Sequence, residues 1–325
     1  MITHHERLRA CLNHELPDRP PVALWRHFPV DDQSPDTLAA STLNWQRIYN
    51  FDLIKVTPAS SFSVKDWGVE DTWEGNTEGT RRYVRRVIRN PKDWEKIKEL
   101  GPTAPHLAAQ LECLQIIKNG IDPETPFIQT IFNPLSQAKH LAGNETLIAH
   151  IRMYPEAVLK GLEVIARSTQ RFVEATIAKG IDGIFYAVQH AQASLLTIDE
   201  YRTFGSPFDQ RVIEPAKGSW LNLLHLHGRD VYFSLLSGLP FPIINWHDRE
   251  TAPTLDEAMK IFPGVVCGGL KQDSLVFGTP EDISKEAKSA MNLTGKKRMI
   301  LSTGCVAPII APHGNLIAAR EIVES

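Results

Sequence analysis

The chain has 325 residues, of which 42% are apolar and 22% charged, the proportions of an ordinary soluble globular protein. Its 35 Lys and Arg residues nearly balance 38 Asp and Glu residues, and the formal charge of −3 argues against nucleic acid or an anionic membrane as the main partner. No apolar run approaches the roughly 20 residues that span a bilayer. The start of the chain is charged and has no apolar signal core, and the four cysteines form no CxxC pair, so we expect a cytoplasmic protein.

Short apolar runs alternate with helical stretches along the chain. Residues 154–179 have apolar side chains at helical spacing, and Gly180 is placed to end that helix. Capping-box spacing marks further helix starts at Thr197 and Thr254. Apolar runs bounded by Pro, Gly or Asp predict strands buried on both faces at residues 21–27, 51–57, 126–133, 182–188, 219–227, 241–247, 264–270 and 298–304.

Eight strand-then-helix units predict a (β/α)8 TIM barrel, preceded by a short N-terminal helix, with a single domain over residues 1–325. An open doubly wound sheet is the main alternative, but no Gly-x-Gly-x-x-Gly follows the first strand and no P-loop motif occurs. Residues 58–125, after the second strand, are too long for a simple connection and predict an insertion packed over one end of the barrel. Its arginines between residues 81 and 86 also suit a solvated face.

Histidines concentrate where a barrel keeps its functional residues, at the carboxyl ends of strands and in the loops that follow. His225 and His227 lie two residues apart in one predicted strand, so both imidazoles would face the barrel axis and suit one metal ion. Cys305, just past the last strand, is the best third candidate, because two imidazoles, a thiolate and an open position form a known type of catalytic zinc site. The alternative is a pair of hydrogen-bonded histidines without a metal.

Other polar residues at predicted strand ends are candidates for catalysis or substrate binding. Arg26 suits a bidentate grip on a carboxylate or phosphate, and it suits a salt bridge in the rim equally well. His247 and Asp248 would transfer protons or support a metal ligand, unless Asp248 forms a structural salt bridge. The side chains expected to contact a substrate at the mouth are Arg26, His27, Asn133, Gln189, His190 and Trp246.

The order of segments resembles the uroporphyrinogen decarboxylase superfamily over nearly the whole chain. The resemblance rests on ERLRACLNHELPDRPPVALWRH, FDLIKVTPASSFSVKDWG, PFIQTIFNPLSQAKHLAG and KGIDGIFYAVQHAQASLLTIDEYRTF, followed by LHLHG, INWHD, VVCGGL and STGC. That superfamily contains decarboxylases of the tetrapyrrole pathway and methyltransferases that work with corrinoid proteins or cobamides. The resemblance implies a TIM barrel with one of these two chemistries.

Departures from the decarboxylase pattern favour the methyltransferase branch. The decarboxylases have a two-arginine motif after the first strand; here Arg26 matches the first arginine, and Val30 stands at the second. Their Asp after the second strand is replaced by Ala59 or by its neighbours Ser60 and Ser61. Groups that bind a polyanionic porphyrinogen and stabilise charge on its pyrroles are therefore missing.

The methyltransferases typically bind zinc through His-x-Cys after the fifth strand and a Cys after the eighth. His225 and Cys305 match two of these ligands, and His227 stands in place of the first Cys. The resemblance thus implies a zinc-dependent methyltransferase-like enzyme with a small-molecule methyl donor or acceptor. Since 325 residues leave no room for a cobalamin-binding domain, the corrinoid would be carried by a separate protein.

Two other functions remain open for such a barrel. One is a lyase of the decarboxylase type acting on a tetrapyrrole polycarboxylate, and the other is a barrel that binds a tetrapyrrole or corrinoid without turnover. In each case we expect a monomer or a homodimer.

Overall fold

A parallel β-sheet surrounded by helices organises the chain. The computed structural model describes residues 2–324. Seven parallel strands form the main sheet in the order in which they follow each other along the chain, and a separate two-stranded antiparallel hairpin lies between the first and second of them. The strands are β1 (Ile54–Val56), the hairpin strands β2 (Glu70–Thr72) and β3 (Arg82–Arg85), β4 (Phe127–Phe132), β5 (Gly183–Val188), β6 (Leu223–Leu226), β7 (Ile243–Trp246), β8 (Val265–Leu270) and β9 (Met299–Thr303).

Helices precede the sheet and connect its strands. They are α1 (His4–Leu12), α2 (Pro35–Tyr49), α3 (Pro105–Gly120), α4 (Pro134–Ala142), α5 (Asn144–Met153), α6 (Pro155–Ala178), α7 (Ile198–Phe204), α8 (Ser206–Ile213), α9 (Phe233–Leu236), α10 (Leu255–Ile261), α11 (Gln272–Phe277), α12 (Pro280–Thr294) and α13 (His313–Glu321). The predicted N-terminal helix is α1, and α6 matches the predicted helix over 154–179. Thr197 and Thr254 form the predicted capping boxes. Among residues 2–324, no helix is long and apolar enough to cross a bilayer.

The predicted strand at 21–27 is not a regular strand. Only Val22 pairs, in an isolated parallel bridge with Leu301 of β9. Pro21 has no N–H to donate, so it only accepts a hydrogen bond, from Leu301 N at 2.8 Å, while Asp52 N donates to Val22 O at 2.8 Å. The segment thereby bridges β9 and the residues before β1. The other seven predicted strands are all present, and they form the curled parallel sheet of a TIM-barrel-like fold.

The predicted insertion between β1 and β4 contains the β2–β3 hairpin and α3. Two of its arginines lie on a solvated face, because Arg82 and Arg85 form exposed ion pairs with Glu74 and Glu70. Arg86 instead donates to two backbone carbonyls at the end of α4, at 2.8 and 3.0 Å, and so fastens the hairpin to the main body.

Asp52 joins three segments at the amino-terminal end of the sheet. Its fully buried carboxylate accepts hydrogen bonds from Arg7 Nη1 and Arg19 Nη1 at 2.7 Å, and from His4 Nδ1 and Val22 N at 2.8 Å. Burial alone would raise the pKa of this carboxyl, but the hydrogen bonds and the charge of Arg19 hold it well below its usual range. Helix α1, the segment at Val22 and β1 are thereby fixed to one another.

We predict that Asp52→Asn lowers the free energy of unfolding by about 3–5 kcal/mol, because Arg7 and Arg19 lose their buried counter-charge and keep only the more exposed carboxylates of Asp18 and Glu324. Urea denaturation at neutral pH measures this loss, and the exposed Glu15→Gln is the control. The stabilisation by Asp52 is complete above the unfolded-state pKa of about 4, and it is lost as the pH falls toward the lower pKa of the folded state. Equal stability of Asp52→Asn and the wild type at pH 7 would contradict this role.

Candidate metal centre

The register between β6 and β7 brings polar side chains to one level inside the sheet. His225 pairs with Asn245, and positions two residues further along each strand point to the same side. His227 and His247 therefore lie together just beyond the two strand ends. Their ring centroids are 5.3 Å apart, and the rings of His225 and His227 are 5.9 Å apart.

Cys305 joins this group from the end of β9. Its Sγ lies 3.8 Å from His225 Nε2 and 3.7 Å from His227 Nδ1. One ligand atom from each of His225, His227, His247 and Cys305 lies within 4.8 Å of the other three. Two ligand atoms on one tetrahedral zinc ion are separated by roughly 3.5 Å, so this spacing fits a single ion.

Gly304 permits the close approach of β9 to β7. A Cβ at this position would lie 2.5 Å from the Cα of His247, so no larger residue fits without displacing the backbone. The sequence Gly304-Cys305 thus places the thiol beside the histidines.

Asn245 determines which nitrogen of His225 is available to a metal. Its Nδ2 donates to the backbone carbonyls of Cys267 and Thr303, at 2.8 and 2.9 Å. The amide oxygen therefore faces His225 Nδ1 at 2.6 Å and must accept a hydrogen bond from it. His225 Nε2 is left unprotonated and faces Cys305, as a ligand nitrogen should be.

The protonation states of the group also suit a cation. Burial lowers the pKa of His227 to about 3, and it lowers the pKa values of His225 and His247 too, so all three imidazoles are neutral at pH 7. Burial raises the pKa of the Cys305 thiol to about 12, so a thiolate here requires a cation beside it. The buried Nε2 of His247 has no hydrogen-bond partner within residues 2–324. An orphaned nitrogen in this position fits a metal ligand.

A cavity with about 550 Å³ of empty space, part of it open to solvent, lies next to the group. His27 and Gln189, two of the expected substrate contacts, lie on its wall with His225, His227 and Cys305. A second cavity, between the insertion and α6, is lined by apolar and uncharged polar side chains and offers no group for chemistry.

Arg26 and Trp246 lie outside the cavity lining, contrary to expectation. Trp25 and His27, on either side of Arg26, and His247, next to Trp246, take the inward positions, so the side chain between or beside them faces away. The guanidinium of Arg26 packs about 5 Å from the ring centroids of Phe28 and Trp45. Trp246 is fully buried, contacts Phe233 and donates to Pro253 O at 2.9 Å. A grip on a substrate carboxylate by Arg26 has no support from this geometry.

Three further candidates form structural hydrogen bonds, although the buried Nδ1 of His190 has no partner within residues 2–324. Asn133 caps α4 and donates to the buried Asp209 at 3.0 Å. His190 Nε2 lies 3.0 Å from Asn144 Oδ1. The Asp248 carboxylate accepts from Gly269 N at 3.1 Å, with Arg249 Nε at 3.8 Å, so it does not join its neighbour His247 in the metal group. Burial raises the pKa of Asp248 to about 7.

Lys55, the central residue of β1, is a candidate functional residue beyond those predicted from the sequence. Its side chain lines the cavity, and its Nζ donates to Thr57 Oγ1 at 3.2 Å. Desolvation lowers its pKa to about 7. A lysine within the otherwise apolar run FDLIKVT was the available signal, because charged residues are rarely buried in strands without a reason. Asn245, inside INW, gave a similar signal.

The sequence of the chain matches a known protein family over nearly its whole length. The chain matches the model of the family described as uroporphyrinogen decarboxylase (URO-D) over residues 3–325. It belongs to the URO-D family. The resemblance recognised from the sequence is therefore confirmed.

Relatives of this URO-D protein include methyltransferases. The methylcobamide:CoM methyltransferase MtbA of Methanosarcina acetivorans is 21% identical over 245 residues, which cover 74% of this chain and 70% of the relative. The protein of the same name from Methanosarcina mazei is 20% identical with the same coverage. A solved structure of a methyltransferase from Methanosarcina mazei has a TM-score of 0.86 and covers 99% of both chains at 18% identity, so the two share a fold.

We predict that Asn245→Ala weakens zinc binding by about 10–100-fold, the usual cost of losing a group that orients a ligand histidine. Asn222→Ala is a matched control, because Asn222 is also a buried asparagine that donates to backbone carbonyls, at the other end of β6. Competition with a chelating dye gives the zinc affinity of both variants, and melting curves show their stability. Asn222→Ala should be destabilised with unchanged zinc affinity; a similar loss of zinc affinity in both variants would contradict the orienting role of Asn245.

Proposed function

We propose that this chain is a zinc-dependent methyltransferase, which moves a methyl group between a corrinoid on a partner protein and a small thiol or alcohol. The observation that carries the proposal is the convergence of His225, His227, His247 and Cys305 beside an open cavity. The methyltransferases among its relatives support the reaction class. In this proposal, residues 21–27 take the place of the eighth strand of the barrel, and the chain works as one domain.

His225, His227 and Cys305 would hold the zinc, and His247 is the candidate for a fourth ligand that a substrate thiol or hydroxyl group would replace or join. When bound there, the ion supplies a Lewis acid that lowers the pKa of a thiol or hydroxyl group of the substrate. Asn245 keeps the proton of His225 on Nδ1 and its lone pair on Nε2. Trp25 and Phe185 limit the access of water to this end of the cavity, and His27 and Gln189 contact the substrate.

A decarboxylase of tetrapyrroles has less support from the same residues. Arg26 points away from the cavity, and Val30 and Ala59 offer no charge where a polycarboxylate would need one. Lys55 is the one Lys or Arg side chain among those that line the described cavity. One positive charge does not match a ligand with four or more carboxylates.

Metal content tests the first part of the proposal. We predict about one zinc per chain in the purified protein, because His and Cys side chains at this spacing bind zinc tightly. The His225→Ala, His227→Ala double variant should fold and lose the metal. The control is His106→Ala, which removes a histidine that faces the exposed surface next to Asp66. A folded wild type that takes up no zinc would contradict the site.

A turnover assay tests the second part. With methylcobalamin as donor and 2-mercaptoethanol as acceptor, the zinc-loaded protein should transfer the methyl group to sulfur, releasing the thiol proton and leaving cobalt with both electrons of its bond to carbon. We predict that Cys305→Ala reduces this rate by about a hundredfold or more, since losing a residue that only supports a ligand already costs 10–100-fold. Uroporphyrinogen is the comparison substrate. Carboxylate loss from it at an enzymatic rate, with no methyl transfer, would favour the lyase instead.

A further inference from the structure

Lys55 has a buried amino group that forms no ion pair with a carboxylate. Its side chain is 7% exposed, and within residues 2–324 the acceptor of its ammonium group is the Thr57 hydroxyl, with no ion pair. The Thr57 hydroxyl in turn donates toward the carbonyl of Lys55 at 3.3 Å, so it does accept from the ammonium. When the amino group is protonated, two of its three N–H groups therefore remain for another partner.

Trp25 offers a second unused donor in the same cavity. It is 2% exposed, and its Nε1 has no hydrogen-bond partner within the described chain. The Lys55 Nζ lies 5.9 Å from the centroid of the Trp25 ring and 4.5 Å from that of Phe185. An indole N–H and an ammonium, both buried and both without an anion, point to a missing acceptor.

The one carboxylate on the cavity wall does not form an ion pair with Lys55. Glu78 accepts a hydrogen bond from Gln272 Nε2 at 3.2 Å and forms no ion pair with Lys55. The missing acceptor must therefore come from outside the described chain.

The unused donors are close to the metal group. The ring of Phe185 contacts both regions, since it lies 5.3 Å from the Trp25 ring and stacks 5.1 Å from the His225 ring. A small molecule that extends from Lys55 to the metal-binding side chains therefore spans about the width of one aromatic ring. This length corresponds to a chain of a few atoms.

We propose that Lys55 and Trp25 form an anion subsite, and that the cavity takes a small thiol or alcohol that also carries a carboxylate. The subsite narrows the substrate class of the proposed function and rests on that function only for the thiol or hydroxyl end. Lys55 is a specificity-determining residue in this arrangement, because it makes a charged ligand bind more tightly than a neutral one of the same shape.

The indole N–H of Trp25 reports directly on the anion. The chain has seven tryptophans, so protein labelled with 15N at the indole nitrogens gives seven signals, and Trp25→Phe identifies the one that belongs to Trp25. Propionate and its neutral analogue propionamide are the two probes, added first to protein without metal. We expect propionate to shift the Trp25 signal in a saturable manner, and propionamide to leave it in place.

Lys55→Met keeps the length of the side chain and removes its charge. We expect it to weaken propionate binding by about tenfold or more, the usual scale for a hydrogen bond to a charged group. Lys118→Met is the matched control, because Lys118 also lies over a phenylalanine ring, that of Phe127, but on the exposed surface. If Lys55→Met fails to fold, Trp25→Phe answers the question through calorimetry, with propionate affinity expected to fall several-fold. The proposed subsite would be wrong if propionate does not shift the Trp25 signal, or if propionate shifts it equally in Lys55→Met.

The metal end is tested separately with 3-mercaptopropionate. In zinc-loaded protein it should bind more tightly than propionate, and in metal-free protein the two should bind equally. If zinc does not increase the affinity for 3-mercaptopropionate, the proposed function is wrong. The response of Trp25 to propionate tests the anion subsite independently of that result.

Discussion

The pairing of His225 with Asn245 is the constraint on which the rest of the site depends. In two parallel strands, paired residues such as His225 and Asn245 lie side by side. Residues two positions further along each strand point to the same face, so His227 and His247 also lie side by side. A shift of one residue in either strand would turn one pair toward the helices. Asn245 reinforces the register, because its amide also bonds carbonyls of residues on β8 and β9.

This register also explains what the sequence allowed us to predict. His225, His227 and Cys305 follow from strand ends and alternation alone, because seven of the predicted strands fall where the structure has them. The position of Arg26 and Trp246 at predicted strand ends suggests the mouth of the barrel, but the side chains next to them in the sequence occupy the inward face. Alternation also turns Asp248 away from His247, but its contact with Gly269 depends on how the loop turns after β7, which the sequence does not show.

The sequence does not predict the role of a residue whose partners lie far from it along the chain. Lys55 and Asn245 each stand alone in an apolar strand, and nothing near them in the sequence shows what they face. The first strand was predicted as regular because its residues are apolar, but Pro21 removes a donor and Val22 alone forms a bridge. Asp52 likewise gains its importance from Arg7 and Arg19, which lie more than 30 residues before it.

The two ends of the cavity suit groups of opposite charge. At one end, neutral imidazoles and a thiol with a raised pKa surround a position that suits a cation. At the other end, Lys55 and Trp25 have N–H groups that suit an anion. A ligand with a thiol or hydroxyl at one end and a carboxylate at the other would satisfy both, and it would leave few buried polar groups unpaired.

X-ray absorption at the zinc K edge tests the central claim most directly, because it identifies the atoms around the ion in the working protein. The proposed centre predicts one sulfur at about 2.3 Å and two or three nitrogens at about 2.0–2.1 Å, with the sulfur lost in Cys305→Ser. A zinc ion surrounded by oxygen alone, or a sulfur contribution unchanged in Cys305→Ser, would contradict it.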